Sequence, residues 1–150
     1  MAPITLQLPA EYGYVLVAAT SSIAVNIIHI ILTSGARKRS KIPYPNAYAT
    51  PEQAAKDPAA YQFNCAQRAH ANYTENVTPF LASLLISGLT YPTYAAGLGI
   101  TWTTGRILYA LGYTSSAGPK GRVIGSTVGS LAAIALFGLS IASAIKFLPK

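Results

Sequence analysis

Residues 62–89 read QFNCAQRAHANYTENVTPFLASLLISGL, and the two halves of this stretch make opposite demands. From Pro79 onward there is no charge, and the run is apolar enough to enter a membrane. Just before it, Arg68, His70, Asn72 and Glu75 fall on what the spacing makes the same helix. A charged side chain at the centre of a bilayer costs about 2.5–3.5 kcal/mol even on the lenient insertion scale. Intramembrane ionisable groups are therefore read first as functional groups.

The whole chain supports a membrane reading. Its 150 residues suffice for one domain; 51% are hydrophobic and only 10% are charged. Ordinary soluble domains carry about a quarter charged residues, so too few charges remain here to coat a water-soluble surface. The net charge is +7, but Arg37, Lys38, Arg39 and Lys41 crowd together directly after the first apolar run. That is a cytosolic anchor under the positive-inside rule rather than a nucleic-acid stripe, and no nucleic-acid partner is expected. Cys65 is the sole cysteine, which excludes an internal disulfide. His29 and His70 lack ligand spacing, so no metal is expected. Glu11 precedes the first apolar run and no basic segment does, which argues against a cleaved signal.

Apolar length and breakers predict an all-α integral membrane four-helix bundle, with spans near 12–34, 61–90, 93–113 and 122–147. The second begins at Pro58 or Tyr61 and is long enough to project past one face. Residues 35–57 read as a polar loop, and TYPT at 90–93 as a tight hairpin link. The loops that hold Arg37, Lys38, Arg39, Lys41, Lys56, Lys120 and Arg122 share one side, predicted cytosolic; Lys146 and Lys150 oppose this weakly.

On the second helix Arg68, Asn72 and Glu75 stand at i, i+4 and i+7, with Asn64 a turn earlier on the same face. On the third, Arg106, Tyr109 and Tyr113 stand at i, i+3 and i+7. An internal ion pair, Arg68 or Arg106 with Glu75, is one explanation. However, two arginines face one glutamate, and the surplus suits an anionic ligand. Arginines clamp carboxylates, a glutamate takes an ammonium, and an amide meets peptide groups. Glutathione fits that set, as would another small peptide or an acidic lipid; no GxxxxGK[ST] phosphate cradle is present.

The run FNCAQRAHANYTENVTPF at 63–80 resembles the second-helix signature of the membrane-associated proteins in eicosanoid and glutathione metabolism, the MAPEG family. GRILYALGY at 105–113 looks like their third helix and ARKRSKIPYP at 36–45 like their cytosolic loop. With EYGYVL near the start, the set is most like the type 3 microsomal glutathione transferases. The resemblance implies a homotrimer in the endoplasmic reticulum or mitochondrial outer membrane, with glutathione as cosubstrate between neighbours. It implies glutathione contacts at Arg37, Arg68, Asn72, Glu75, Arg106, Tyr109 and Tyr113. Arg122 would be the catalytic, thiol-activating arginine, with Lys120 as its rival. The reaction would be thiolate attack on an apolar electrophile or a lipid hydroperoxide. A non-catalytic lipid-binding scaffold of the same family is the alternative.

Overall fold

A computed structural model describes residues 7–149; Lys150 lies outside them. The described residues form helices only: α1 (Tyr12–Ser40), α2 (Pro51–Lys56), α3 (Pro58–Gly88), α4 (Pro92–Tyr113), a 3-10 turn (Gly118–Lys120) and α5 (Val123–Lys146). The four long helices begin close to where the sequence places them.

Two features depart from the sequence reading. First, α1 runs through the basic cluster to Ser40 and stops only where Lys41 turns left-handed at φ 56°. Lysine and arginine are good helix formers and are favoured at a helix C-terminus, so their polarity does not end the helix. Second, the expected loop contains α2. Pro51 sits in its first turn, and Thr50 and Gln53 form a reciprocal capping box: Gln53 N–H donates to Thr50 Oγ1 at 3.2 Å and Thr50 N–H to Gln53 Oε1 at 2.9 Å. Asp57 then caps α3 by accepting from the Ala59 N–H at 2.8 Å.

α3 and α4 pack against each other and against both remaining long helices, and α1 and α5 flank that pair. Trp102 stacks on Phe80 with ring centroids 3.8 Å apart, and His29 stacks on Tyr73 at 4.8 Å. The Tyr73 hydroxyl donates to the Ser22 carbonyl, and Ser143 Oγ donates to the Ile86 carbonyl at 2.8 Å. His29 Nε2 and Asn26 Oδ1 are buried without a hydrogen-bond partner among the described residues. The α4–α5 contact is backbone on backbone: a Cβ added at Gly105 would stand 2.7 Å from the Gly129 nitrogen.

α1 and the segment Gly118–Lys146 are each long and apolar enough to cross a membrane. α3 and α4 are less apolar, because α3 carries amides and an ion pair and α4 many glycines, threonines and tyrosines. Large apolar side chains on α1 and α5, among them Ile23, Ile27, Ile31, Ile134 and Phe137, are exposed. A contiguous apolar exterior of this kind is the mark of a surface that meets lipid or another protein.

Candidate functional site

Helix periodicity puts Arg68 and Glu75 two turns apart on one face of α3. Arg68 Nη1 donates to Glu75 Oε1 at 2.9 Å, and both side chains are about half exposed, at 47% and 52%. The pair lies along one helix and does not join two. Between them Asn72 accepts, through Oδ1, from Arg106 Nη2 of α4 at 2.7 Å. Arg106 therefore binds a neutral amide rather than Glu75. It is only 6% exposed, with its guanidinium 4.8 Å from the Tyr109 ring centre and 5.5 Å from that of Trp102. Its Nε has no partner among the described residues.

Tyr109 is the hub. Its ring, 2% exposed, lies 5.6 Å from that of Tyr113. Arg122 Nη1 donates to the Tyr109 hydroxyl at 3.2 Å, and the Arg122 guanidinium stands 5.3 Å from the Tyr113 ring centre. A continuous chain of contacts thus runs Arg122–Tyr109–Arg106–Asn72 across α5, α4 and α3. Arg122 is the N-cap of α5, which has no side-chain cap. The positive end of that helix's dipole lies at Arg122 and adds to the guanidinium. Arg122 is fixed because the preceding turn is tight: a Cβ on Gly121 would strike the Gly112 carbonyl oxygen. Lys120 stands on the 3-10 turn, exposed, with no contact to these side chains among those described. Cys65 packs behind the tyrosines in one buried cluster with Ala69, Tyr109 and Tyr113.

Arg37 is placed elsewhere. Its Nη1 donates to the Asn46 carbonyl at 2.8 Å and to the Ile42 carbonyl at 3.4 Å. Its guanidinium lies 4.3 Å from the Tyr44 ring centre and 4.4 Å from that of Phe63. It pins the loop that follows α1. Asn64, expected on the Arg68 face, does the same job by exchanging hydrogen bonds of 2.8 and 3.0 Å with the backbone of Ala49. Arg37 borders a cavity of about 250 Å³ that also takes in Thr33, Tyr44, Gln67 and His70. Gln67 carries no signal in the sequence beyond the i, i+3 spacing that puts it beside His70.

Beside Arg106 a cavity of about 270 Å³ opens between α3, α4 and α5, bordered by Asn76, Trp102, Gly129 and Ser130. It shares Asn76, Trp102, Ala133 and Ile134 with a second cavity of about 250 Å³, which reaches Pro79, Phe80 and Phe137. One end of this cleft is a guanidinium and the other is hydrocarbon. Among the described residues no group of three His, Cys, Asp or Glu could hold a metal ion.

A model of the MAPEG family matches residues 15–142. Among curated proteins the chain is similar to the uncharacterized protein sll1147 of Synechocystis, with 40% identity over 70 residues. That match takes in 46% of this chain and 50% of the relative, so the aligned part spans about half the length of the cyanobacterial protein.

Proposed function

The chain belongs to the MAPEG family, and from that premise we propose that it is an integral membrane glutathione transferase with glutathione peroxidase chemistry, most like the type 3 microsomal enzymes. Glutathione is the cosubstrate; the second substrate is an apolar electrophile or a lipid hydroperoxide. Four spans carry the site to the cytosolic face of the endoplasmic reticulum membrane. The observation that carries this reading is the run of contacts from Arg122 through Tyr109 and Arg106 to Asn72, beside the half-exposed Arg68–Glu75 pair.

Each group has a task. Arg68 clamps a glutathione carboxylate, Glu75 takes its ammonium, and Asn72 and Arg106 meet its peptide groups. Tyr109 and Tyr113 form the wall against which Arg122 is held. A free thiol has a pKa of about 8.5 and is a few per cent thiolate at neutral pH. A guanidinium within about 4–6 Å lowers such a value by roughly 1–3 units. Arg122 therefore keeps the sulfur deprotonated by charge alone, with the uncapped start of α5 as support. In conjugation the thiolate forms a C–S bond with the electrophilic carbon as that carbon's leaving group departs. In reduction it attacks the distal oxygen of a hydroperoxide, and the O–O bond breaks to release the lipid alcohol after protonation. A second glutathione then reduces the resulting sulfenic acid to the disulfide and water. The cleft beside Arg106 lets apolar substrates enter from the lipid.

Assembly as a homotrimer accounts for two observations. The Arg68–Glu75 pair is half exposed on an expected span, where a neighbouring subunit would cover it. Arg37 lies apart from the other site residues within one protomer, where a neighbour's ligand would reach it. The test is to assay the purified protein for conjugation of a model electrophile and for reduction of a lipid hydroperoxide in parallel. Glutathione-dependent turnover in either assay supports the reading. Glutathione binding without either activity would favour the non-catalytic scaffold.

A further inference from the structure

The end of α1 carries four cations, and they divide into two sets. Arg37 turns inward onto loop carbonyls and aromatic rings. Lys38, Arg39 and Lys41 are exposed. The ion pair among the described residues is Arg68–Glu75, so these three have no carboxylate to neutralise them.

Arg39 is specifically placed. Its Nη1 lies 3.5 Å from where a Cβ on Gly35 would stand, so the side chain runs back along the helix by about a turn. Helical side chains lean toward the N-terminus, which here is the apolar, membrane-directed end of α1. Below Gly35 the same i±4 ridge continues as Ile31, Ile27 and Ile23, exposed by 64%, 52% and 62%. From Gly35 down to Ile23 is about 18 Å at 1.5 Å per residue, close to the roughly 15 Å depth of one leaflet's hydrocarbon. One ridge therefore offers hydrocarbon for the depth of a leaflet, then a position without a side chain, then a guanidinium bent over it, with two lysines alongside.

We propose that this ridge seats one anionic phospholipid: an acyl chain along Ile23, Ile27 and Ile31, its phosphate at Gly35 under Arg39, and its further headgroup charge met by Lys38 and Lys41. The proposal rests on the membrane reading of α1 but not on glutathione chemistry.

The test uses the full-length protein in dioleoylphosphatidylcholine vesicles, with spin-labelled phosphatidylserine or phosphatidylcholine as tracer. The measured quantity is the ratio of protein-immobilised label for the two lipids. The wild type prefers phosphatidylserine several-fold, and Arg39→Gln weakens that preference about fivefold, the effect of one interfacial cation. Gly35→Leu keeps every charge but fills the space under the guanidinium; it lowers the preference as well, which separates a built seat from a diffuse positive field. Lys146→Gln, at the far end of the last helix, leaves it unchanged. Variants are compared at equal helical circular dichroism. Equal retention of both lipids by the wild type overturns the proposal. So does a full preference in Gly35→Leu, or a loss in Lys146→Gln as large as that in Arg39→Gln.

Discussion

Arg122, the N-cap of α5, donates a hydrogen bond of 3.2 Å to the hydroxyl of Tyr109, the buried phenol at the centre of α4's polar face. This one contact ties the start of the last helix to the residues that reach α3. It holds the Arg122 guanidinium at the end of the bundle that carries the Arg68–Glu75 pair, half exposed in the protomer.

Removing that guanidinium should cost turnover. If Arg122 lowers the bound thiol by about two units, its loss forfeits roughly 2.7 kcal/mol of thiolate stabilisation, near a hundredfold in thiolate population. Arg122→Ala should therefore lose most of its activity at neutral pH while still binding glutathione. Its rate should climb with pH toward the free thiol's value of about 8.5, whereas the wild-type rate levels off at lower pH. Lys120→Ala should match the wild type. An inactive Lys120→Ala beside an active Arg122→Ala reassigns the role.

The Arg68–Glu75 pair separates ligand binding from stability. Within one protomer a pair this exposed is worth about 0–1 kcal/mol to the fold. Glu75→Gln should accordingly leave the melting temperature in detergent nearly unchanged. The same change should weaken glutathione binding by at least about tenfold, as expected for a lost charge-assisted contact of roughly 1.5–3 kcal/mol. Unfolding or aggregation with no specific binding defect would instead assign the pair a structural role.

Gly105 tests the seam between α4 and α5. A Cβ there meets backbone, which cannot rotate away. Gly105→Val should destabilise by about 1–3 kcal/mol or more and displace Arg106, its neighbour in sequence. Gly97, where an added Cβ meets nothing within 4 Å, should accept alanine freely. Thermal melts of the two variants side by side decide the matter.

Arg37 should act on the loop. With its guanidinium held by two loop carbonyls and two rings, Arg37→Ala should raise amide exchange across residues 42–49 without changing exchange in α4. Unaltered exchange in that loop would show that Asn64 alone suffices to hold it.

Much of the fold is legible in the sequence because apolar length, prolines and small residues act locally. Pro58 and Pro92 open α3 and α4, and Gly118 and Gly121 break the chain before α5. The helix α2 does not stand out from the polar, proline-bearing run 35–57, because six residues are too few to show a periodicity, although Thr50-Pro51-Glu52-Gln53 spells a capping box. The polar face of Arg68, Asn72 and Glu75 was legible from helical spacing alone. Their partners were not: that Arg106 takes Asn72 while Arg68 takes Glu75 depends on how α3 and α4 cross, and periodicity within one helix carries no such information. The glutathione contact expected of Arg37 follows from the family resemblance, whereas its place against Tyr44 and Phe63 is a tertiary contact that local spacing does not show.

In the proposed mechanism this end of the protein holds glutathione as a thiolate. The direct measurement is ultraviolet difference absorbance of the thiolate during titration of the detergent-purified protein with glutathione at neutral pH. A saturable rise in thiolate, matched in midpoint by calorimetric heat and absent in Arg122→Ala, is the predicted result. Well-folded protein that gives neither heat nor thiolate signal would overturn that mechanism.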